Sequence, residues 1–282
     1  MITTDIHLHS SFSGDSDEDM EKIINEALRR KMTHLCFTEH NDLDFPPSKK
    51  EPENVFLLDT DSYWTRFKQM KEKFSDKITL LFGVEWGLQP HLADALKSYV
   101  NQYPFDFVIG SEHTTNRKDP YYPEFYEGRS EYEAYAEYFE DIIANLDALE
   151  NSRTNQGVKE NLIDTFGHLD YVVRYGPNKN SEYSYSKYGD LIDEILKRLI
   201  ERGIALEVNA GGYKYNLGEP NPAVSVIRRY RELKGEMITV GSDAHKADML
   251  QYSFDKIHTL LLSEGFNYHT IFSGRKPIYL KL

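Results

Sequence analysis

Histidine and carboxylate side chains recur in this 282-residue chain immediately after short apolar runs. The first case is Asp5-Ile6-His7-Leu8-His9. In an extended strand, residues two apart share a face, so His7 and His9 present both imidazoles to one side at about 7 Å spacing. Such a pair can chelate one metal ion, although taken alone it also reads as two ordinary strand histidines. The placement repeats at Glu39-His40, Glu85, Glu112-His113, His168 and Asp243-Ala244-His245. A donor set of imidazole and carboxylate without thiolate suits Zn²⁺, Mn²⁺ or Fe²⁺ better than Ca²⁺ or an all-sulfur structural site. The candidate ligands are too many for one ion, and a carboxylate such as Glu85 can bridge two cations about 3.5–4 Å apart. The other histidines offer a contrast: His34 precedes a strand, His91 and His258 lie in helical stretches, and His269 opens a weak strand.

For these groups to meet, the apolar runs must be parallel strands whose C-terminal ends open on one rim. The chain has that rhythm. After the first strand, Met20, Ile23, Ile24, Ala27 and Leu28 share one helical face behind a cap-like cluster at residues 16–19. Strands are expected at residues 34–38, 78–84, 107–109, 162–166, 205–208 and 237–240, with a weaker eighth at 268–272. Helices are expected at 62–74, 90–100, 130–149 and 191–199, and another starting at Asn221-Pro222. Ser130 and Glu133 are spaced as a capping box. Strands alternating with helices throughout imply a parallel sheet closing into a barrel over a single domain, residues 1–282. Residues 40–61 and 114–129 are long irregular stretches after strands, on what would be the functional face.

Composition narrows the setting. The lone cysteine, Cys36, sits in the apolar run Leu35-Cys36-Phe37 and reads as a buried, inert thiol, which suits a reducing compartment. Neither a secretory leader nor an apolar run of about 18 residues occurs, so a cytoplasmic location without membrane spans is expected. A formal charge of −13 opposes broad nucleic-acid binding, which depends on Lys and Arg neutralising phosphates. Twenty tyrosines, many between Tyr121 and Tyr188, could wall a substrate pocket.

The motifs Asp5-Ile6-His7-Leu8-His9-Ser10, Thr38-Glu39-His40, Gly83-Val84-Glu85, Gly110-Ser111-Glu112-His113, Gly167-His168-Leu169-Asp170 and Gly241-Ser242-Asp243-Ala244-His245 together resemble the polymerase and histidinol phosphatase (PHP) family of metal-dependent phosphoesterases. The resemblance implies a distorted TIM-like (β/α)7 barrel holding two or three divalent ions at the C-terminal ends of its strands. By position it implies a first metal on His7, His9, Glu85 and Asp243, a second on Glu85, His113 and His168, and a third on Asp15, His40 and His245. Asp15 stands where some relatives carry histidine, with Asp17 and Glu18 close by. Within the family the chain looks most like the histidinol-phosphate phosphatases of histidine biosynthesis. The stretches at residues 121–128, 169–176 and 217–222 carry that narrower likeness. Glu112 departs from it, standing where many relatives have a small or apolar residue.

The expected reaction is hydrolysis of a phosphomonoester, L-histidinol phosphate, by metal-bound hydroxide. Bound cations lower the pKa of water from about 15.7 towards neutrality and neutralise charge on the phosphoryl oxygens. Glu85, Asp243 and His245 are the expected catalytic groups; Asp243 or His245 could donate a proton to the leaving alkoxide, but a residue bound to metal is a poor free acid, so the proton donor is left open. Arg174 is the expected phosphate clamp, since a guanidinium donates two parallel hydrogen bonds; the alternative is a surface arginine stacked on Tyr171 or Tyr175. Glu112 or Glu207 could meet a cationic group of the substrate, and Tyr175 could pack on its ring; Glu207 could instead support Asn209. The alternative activity is a phosphodiesterase or nucleotide phosphoesterase with the same metals. An amidohydrolase fits less well, since no bridging lysine stands at the position of Glu85, and a non-enzymatic polymerase module would not need a full ligand set.

Overall fold

The computed structural model describes residues 1–47, 54–154 and 160–282. Part of the expected irregular stretch at 40–61, residues 48–53, lies outside the described residues. Seven strands form one all-parallel sheet in chain order: β1 (Thr4–Asp5), β2 (His34–Asn41), β3 (Thr79–Gly87), β4 (Phe107–Ser111), β5 (Thr165–Phe166), β6 (Ala205–Asn209) and β7 (Ile238–Gly241). Between them run α1 (Met20–Arg29), α2 (Thr60–Lys73), α3 (Ala93–Val100), α4 (Glu131–Thr154), α5 (Tyr185–Arg202), the single turn α6 (Gly211–Lys214) and α7 (Val224–Glu232), with α8 (Phe254–Ser263) following β7. The sheet curls until its ends meet. Leu8 bridges Ala244 in parallel, the Asp243 amide donates to the His7 carbonyl at 2.8 Å, and the His9 amide donates to the Ala244 carbonyl at 2.9 Å. The result is the parallel barrel that the alternation of strands and helices implied, in the seven-stranded, TIM-like form that the family resemblance implied.

Local chemistry sets the helix ends. The Asp19 carboxylate accepts from the Glu21 and Lys22 amides at the start of α1, whose buried face is Met20, Ile23, Ile24 and Ala27. Ser130 and Glu133 close a reciprocal capping box on α4: the Ser130 amide donates to Glu133 Oε2 at 2.8 Å, and the Glu133 amide to Ser130 Oγ at 3.2 Å. At Asn221-Pro222 the expected helix start moves three residues on, to Val224. The Asn221 side chain is spent on Arg174 and Asp170, and Glu219 Oε2 receives the Val224 amide instead.

Three strand expectations change. The fifth strand, expected at 162–166, is confined to Thr165–Phe166. β1 leaves the β2 ladder after Asp5, because Thr38 Oγ1 takes the Leu8 amide at 3.1 Å where a backbone carbonyl would otherwise stand. The segment carrying His7 and His9 is nonetheless clamped, between the ends of β2 and β7. The weak eighth strand is real, as β8 (Tyr268–Ser273), but it lies outside the barrel. A two-residue turn at Gly274 and Arg275, both with positive φ, folds it back antiparallel on β9 (Lys276–Lys281). This hairpin packs Ile271 and Phe272 against Ile6, Cys36, Leu81, Phe107, Ile109 and Ala205. Cys36 is accordingly buried and free. Arg275 secures the turn, its Nε donating to Asp164 Oδ2 at 2.5 Å. Among the described residues no helix is long and apolar enough to cross a membrane.

Candidate metal centre

Because all seven strands run the same way, the side chains at their C-terminal ends meet on one rim. The β2–β3 register sets His40 opposite Glu85, and Glu85 stands at the centre of the cluster. Its Oε2 lies 3.2 Å from His7 Nε2, 3.5 Å from His9 Nε2 and 2.9 Å from His40 Nδ1. Its Oε1 lies 3.2 Å from His113 Nε2 and 2.9 Å from His168 Nε2, and it accepts from Ser111 Oγ at 2.6 Å. One carboxylate thus faces two separate groups of imidazoles, the placement needed to bridge cations.

The last motif completes the ring. Asp243 Oδ1 is 3.5 Å from His9 Nε2 and 3.8 Å from His245 Nδ1. Asp243 adopts φ 56°, a left-handed conformation uncommon for a residue other than glycine and often found at functional sites. Asp15 Oδ2 is 3.0 Å from His245 Nε2 and 3.6 Å from His40 Nε2. The rings of His40 and His245 stack on His9 at 4.1 and 4.4 Å between centroids. Donor atoms of His7, His9 and Glu85, of Glu85, His113 and His168, and of His9, His40 and His245 each lie within 4.8 Å of one another.

The residues fit metal ions on their own chemistry. His7 Nε2, His9 Nε2, His40 Nδ1 and Glu85 Oε2 are all buried and lack a hydrogen-bond partner, a costly state for polar atoms unless a further group is shared among them. Charge points the same way. Burial opposes ionisation of Glu85 and Asp243, yet the surrounding imidazoles, joined at Asp243 by Arg174, hold both carboxyls well below the usual range. Burial lowers His9 and His168, leaving neutral rings with lone pairs to give. For His7 and His113 burial is outweighed by neighbouring carboxylates, which push His113 up to about 10 and His7 well above its ordinary value. Cation binding there must displace protons.

Hydrogen bonds to the ring nitrogens turned away from the cluster fix the rings. His7 Nδ1 donates to Glu207 Oε1 at 2.6 Å, and Glu207 Oε2 accepts from the His168 amide at 2.8 Å. Gly241 makes this possible, since a Cβ there would come within 2.3 Å of His7 Cβ and 2.6 Å of Glu207 Oε1. His9 Nδ1 is 3.1 Å from Ser13 Oγ, which donates to Glu39 Oε2 at 2.6 Å. His113 Nδ1 donates to Asp42 Oδ2 at 2.8 Å.

Beside the cluster opens a cavity of about 280 Å³, walled by Phe45, Phe56, Tyr171, Tyr175 and Tyr215 and by the charged groups of Asp119, Arg174 and Lys214. Tyr175 and Arg174 are therefore at the cavity, as expected. Arg174 is buried rather than a surface residue: Nη1 donates to Asp243 Oδ2 at 3.0 Å, Nη2 to Asn209 Oδ1 at 2.9 Å and Nε to Asn221 Oδ1 at 2.8 Å. The structure places the two expected cation-binding glutamates elsewhere. Glu207 lies behind His7 and also accepts from Asn209 Nδ2 at 3.1 Å, while Glu112 points away from the cavity to Asn145 Nδ2, at 2.6 Å, and Thr115 Oγ1. Tyr138, Asn145 and Asp141 of α4 surround Glu112, so its side chain is drawn to the helix layer. Sequence reasoning missed Asp42, Asp119, Lys214 and Tyr215. Of these Asp42 carried a signal: it is a carboxylate two residues beyond His40, at the end of β2.

Comparison with known proteins agrees with this geometry. The PHP domain family model matches residues 5–211. A histidinol-phosphatase of Lactococcus lactis is 33% identical over 277 residues, covering 98% of this chain and 96% of that protein. A protein of Clostridium acetobutylicum named "Probable histidinol-phosphatase" is 33% identical over 273 residues, covering 96% and 97%. The crystal structure of histidinol phosphate phosphatase from L. lactis, complexed with zinc, L-histidinol and phosphate, superposes with a TM-score of 0.84 at 31% identity, over 98% of each chain. A parallel barrel whose strand ends converge on one imidazole and carboxylate cluster, matched by these relatives along nearly its whole length, belongs to the PHP domain family.

Proposed function

We propose that this chain is a metal-dependent phosphomonoesterase that hydrolyses L-histidinol phosphate to L-histidinol and phosphate, a step of histidine biosynthesis in the cytoplasm, with residues 1–282 acting as one domain. The observation that carries the reading is Glu85, with one oxygen turned to His7, His9 and His40 and the other to His113 and His168. His7, His9, Glu85 and Asp243 would hold one divalent ion, Glu85, His113 and His168 a second, and Asp15, His40 and His245 a third, as Zn²⁺, Mn²⁺ or Fe²⁺. Such ions acidify water and neutralise charge on phosphoryl oxygens.

The protein's own groups do the rest. Arg174 and Lys214 bring positive charge to the cavity, where it meets a phosphate. Arg174 has two guanidinium protons beyond the three bonds that orient it. Tyr171, Tyr175 and Tyr215 offer flat aromatic faces to an imidazole, and Asp119, on the loop after β4, offers a carboxylate to a cationic substrate group. Asp243 and His245 would act chiefly by holding the ions, and the proton taken up by the leaving alkoxide is assigned to neither of them. The cavity is at the small end of the roughly 300–1,000 Å³ typical of ligand pockets, which favours a small phosphate ester over nucleic acid.

The test compares phosphate release by metal-loaded protein from L-histidinol phosphate, nucleoside monophosphates and a phosphate bis-ester. A kcat/KM at least tenfold higher for L-histidinol phosphate is expected. Equal rates, or faster bis-ester cleavage, would overturn the assignment.

A further inference from the structure

Four of the clustered histidines share one arrangement. In His7, His9, His113 and His245 the Nδ1 atom is held by a protein oxygen: Glu207 Oε1, Ser13 Oγ, Asp42 Oδ2 and the Asp243 carbonyl respectively. The Nε2 atoms of His7, His9 and His113 face Glu85 at the centre of the site, and that of His245 faces Asp15 at its rim. Only His7 and His113 are held directly by a carboxylate, and the Asp42 bond, at 2.8 Å, is the counterpart of the Glu207 bond on the other side of Glu85.

We propose that Asp42 is a positioning residue for His113, fixing it as the Nδ1–H tautomer so that the Nε2 lone pair is turned to Glu85 and the metal shared with it. The inference rests on the metal-dependent reading of the site. Its support is geometric. Asp42 is 5% exposed, at the point where the chain leaves β2, and its amide donates to the Phe56 carbonyl at 2.9 Å, which fixes the backbone beneath the carboxylate. Across from it β3 ends in Gly87, where a Cβ would lie 2.6 Å from both Asp42 Cγ and Oδ1; the carboxylate needs that glycine to reach His113. A neutral imidazole has one N–H and one lone pair, so an acceptor on Nδ1 decides which nitrogen can bind a cation. Outer partners of this kind typically change metal affinity about 10–100-fold.

Two measurements test this. In Zn²⁺-loaded wild-type protein, nitrogen–proton correlation of the imidazoles should show His113 with its proton on Nδ1 and none on Nε2; a proton on Nε2 with Nδ1 bare would overturn the proposal without bearing on the phosphatase reading. In Zn²⁺-loaded protein, metal retention is titrated against a chelator for wild type, Asp42→Asn and Asp42→Leu, with folding followed by circular dichroism. Asn keeps an oxygen that can accept from Nδ1–H, so D42N should retain one class of bound Zn²⁺ within a few-fold of wild type. D42L should lose that class by roughly 10–100-fold. Wild-type retention by folded D42L would overturn the proposal. Equal loss in both variants would also overturn it, by making the carboxylate charge, and not the orienting hydrogen bond, the property that matters. Should D42L not fold, the tautomer and D42N still decide.

Discussion

His7 and Glu207, two hundred residues apart, are joined by a 2.6 Å hydrogen bond buried between the first and sixth strands. Glu207 also receives the His168 amide and the Asn209 side chain, so one carboxylate orients ligands of two of the proposed metal positions. Glu207→Ala leaves these donors buried without a partner, at about 1–3 kcal/mol each. The expected outcome is a lower melting temperature and roughly 10–100-fold weaker metal retention. Elemental analysis after graded chelation, paired with thermal unfolding, checks both; unchanged metal content would show that His7 orients itself.

Arg174 has the stability role that Glu207 has, with a kinetic one added. Its guanidinium spans Asp243, Asn209 and Asn221, and the burial that would disfavour its charge is outweighed by Asp243. Arg174→Met strands two buried oxygens, Asn221 Oδ1 and Asp243 Oδ2, the second on an ionised carboxylate, while Asn209 Oδ1 keeps the Gly211 amide; the expected loss is about 3–5 kcal/mol. Arg174→Lys should not rescue it, because an ammonium on a flexible stem cannot reproduce a planar fork with three acceptors. Urea unfolding alongside steady-state kinetics is the check. The expected kinetic signature is a fall in kcat/KM for phosphate esters in both variants.

Glu112→Gln separates the cavity from the layer behind it. Burial first, and then the Asp141 carboxylate, raise the Glu112 carboxyl well above the usual range, and its oxygens are bonded to Asn145 and Thr115. A glutamine of the same shape should leave KM for L-histidinol phosphate unchanged and stability within about 1 kcal/mol, the scale of one net hydrogen bond. A several-fold rise in KM would put Glu112 back in contact with the substrate.

These cases show what was legible in the sequence. Ligand types placed after apolar runs are a local signal, and a parallel barrel turns that signal into convergence because every strand ends on one rim. Hence His7, His9, His40, Glu85, His113, His168, Asp243 and His245 could be named as a set before their contacts were seen, whereas Asp15, in the loop after the first run, came only from the family resemblance. The direction a neighbouring side chain takes is not local. Glu112 and His113 are adjacent, and the alternation of a strand sends one to α4 and the other to the cavity. Asp42 and Glu207 act through partners 71 and 200 residues away. The eighth strand exists as expected but its place was not legible for a related reason: its apolar alternation marks it as extended, and only the two-residue turn at Gly274-Arg275 decides that it pairs with β9 as a plug packed against the barrel.

That plug carries its own pH dependence through His269. The ring is 3% exposed, its Nε2 lies 3.0 Å from Thr4 Oγ1, and Nδ1 has no partner. Burial, with help from the N-terminal ammonium and from His34 and His258, pushes its pKa down to about 4 from an ordinary 6.5. The folded protein therefore favours the neutral ring. Stability from this source is present above pH 6.5 and is lost as pH falls towards 4, where the unfolded chain binds a proton that the native one resists. A depression of this size is worth at most about 3.5 kcal/mol, at about 1.4 kcal/mol per unit. His269→Gln keeps polar atoms near Thr4 and cannot titrate. It should be less stable than wild type at pH 7.5 yet lose less on acidification, so the two urea midpoints converge between pH 6.5 and 4. Parallel pH profiles for the two proteins would assign the acid sensitivity elsewhere.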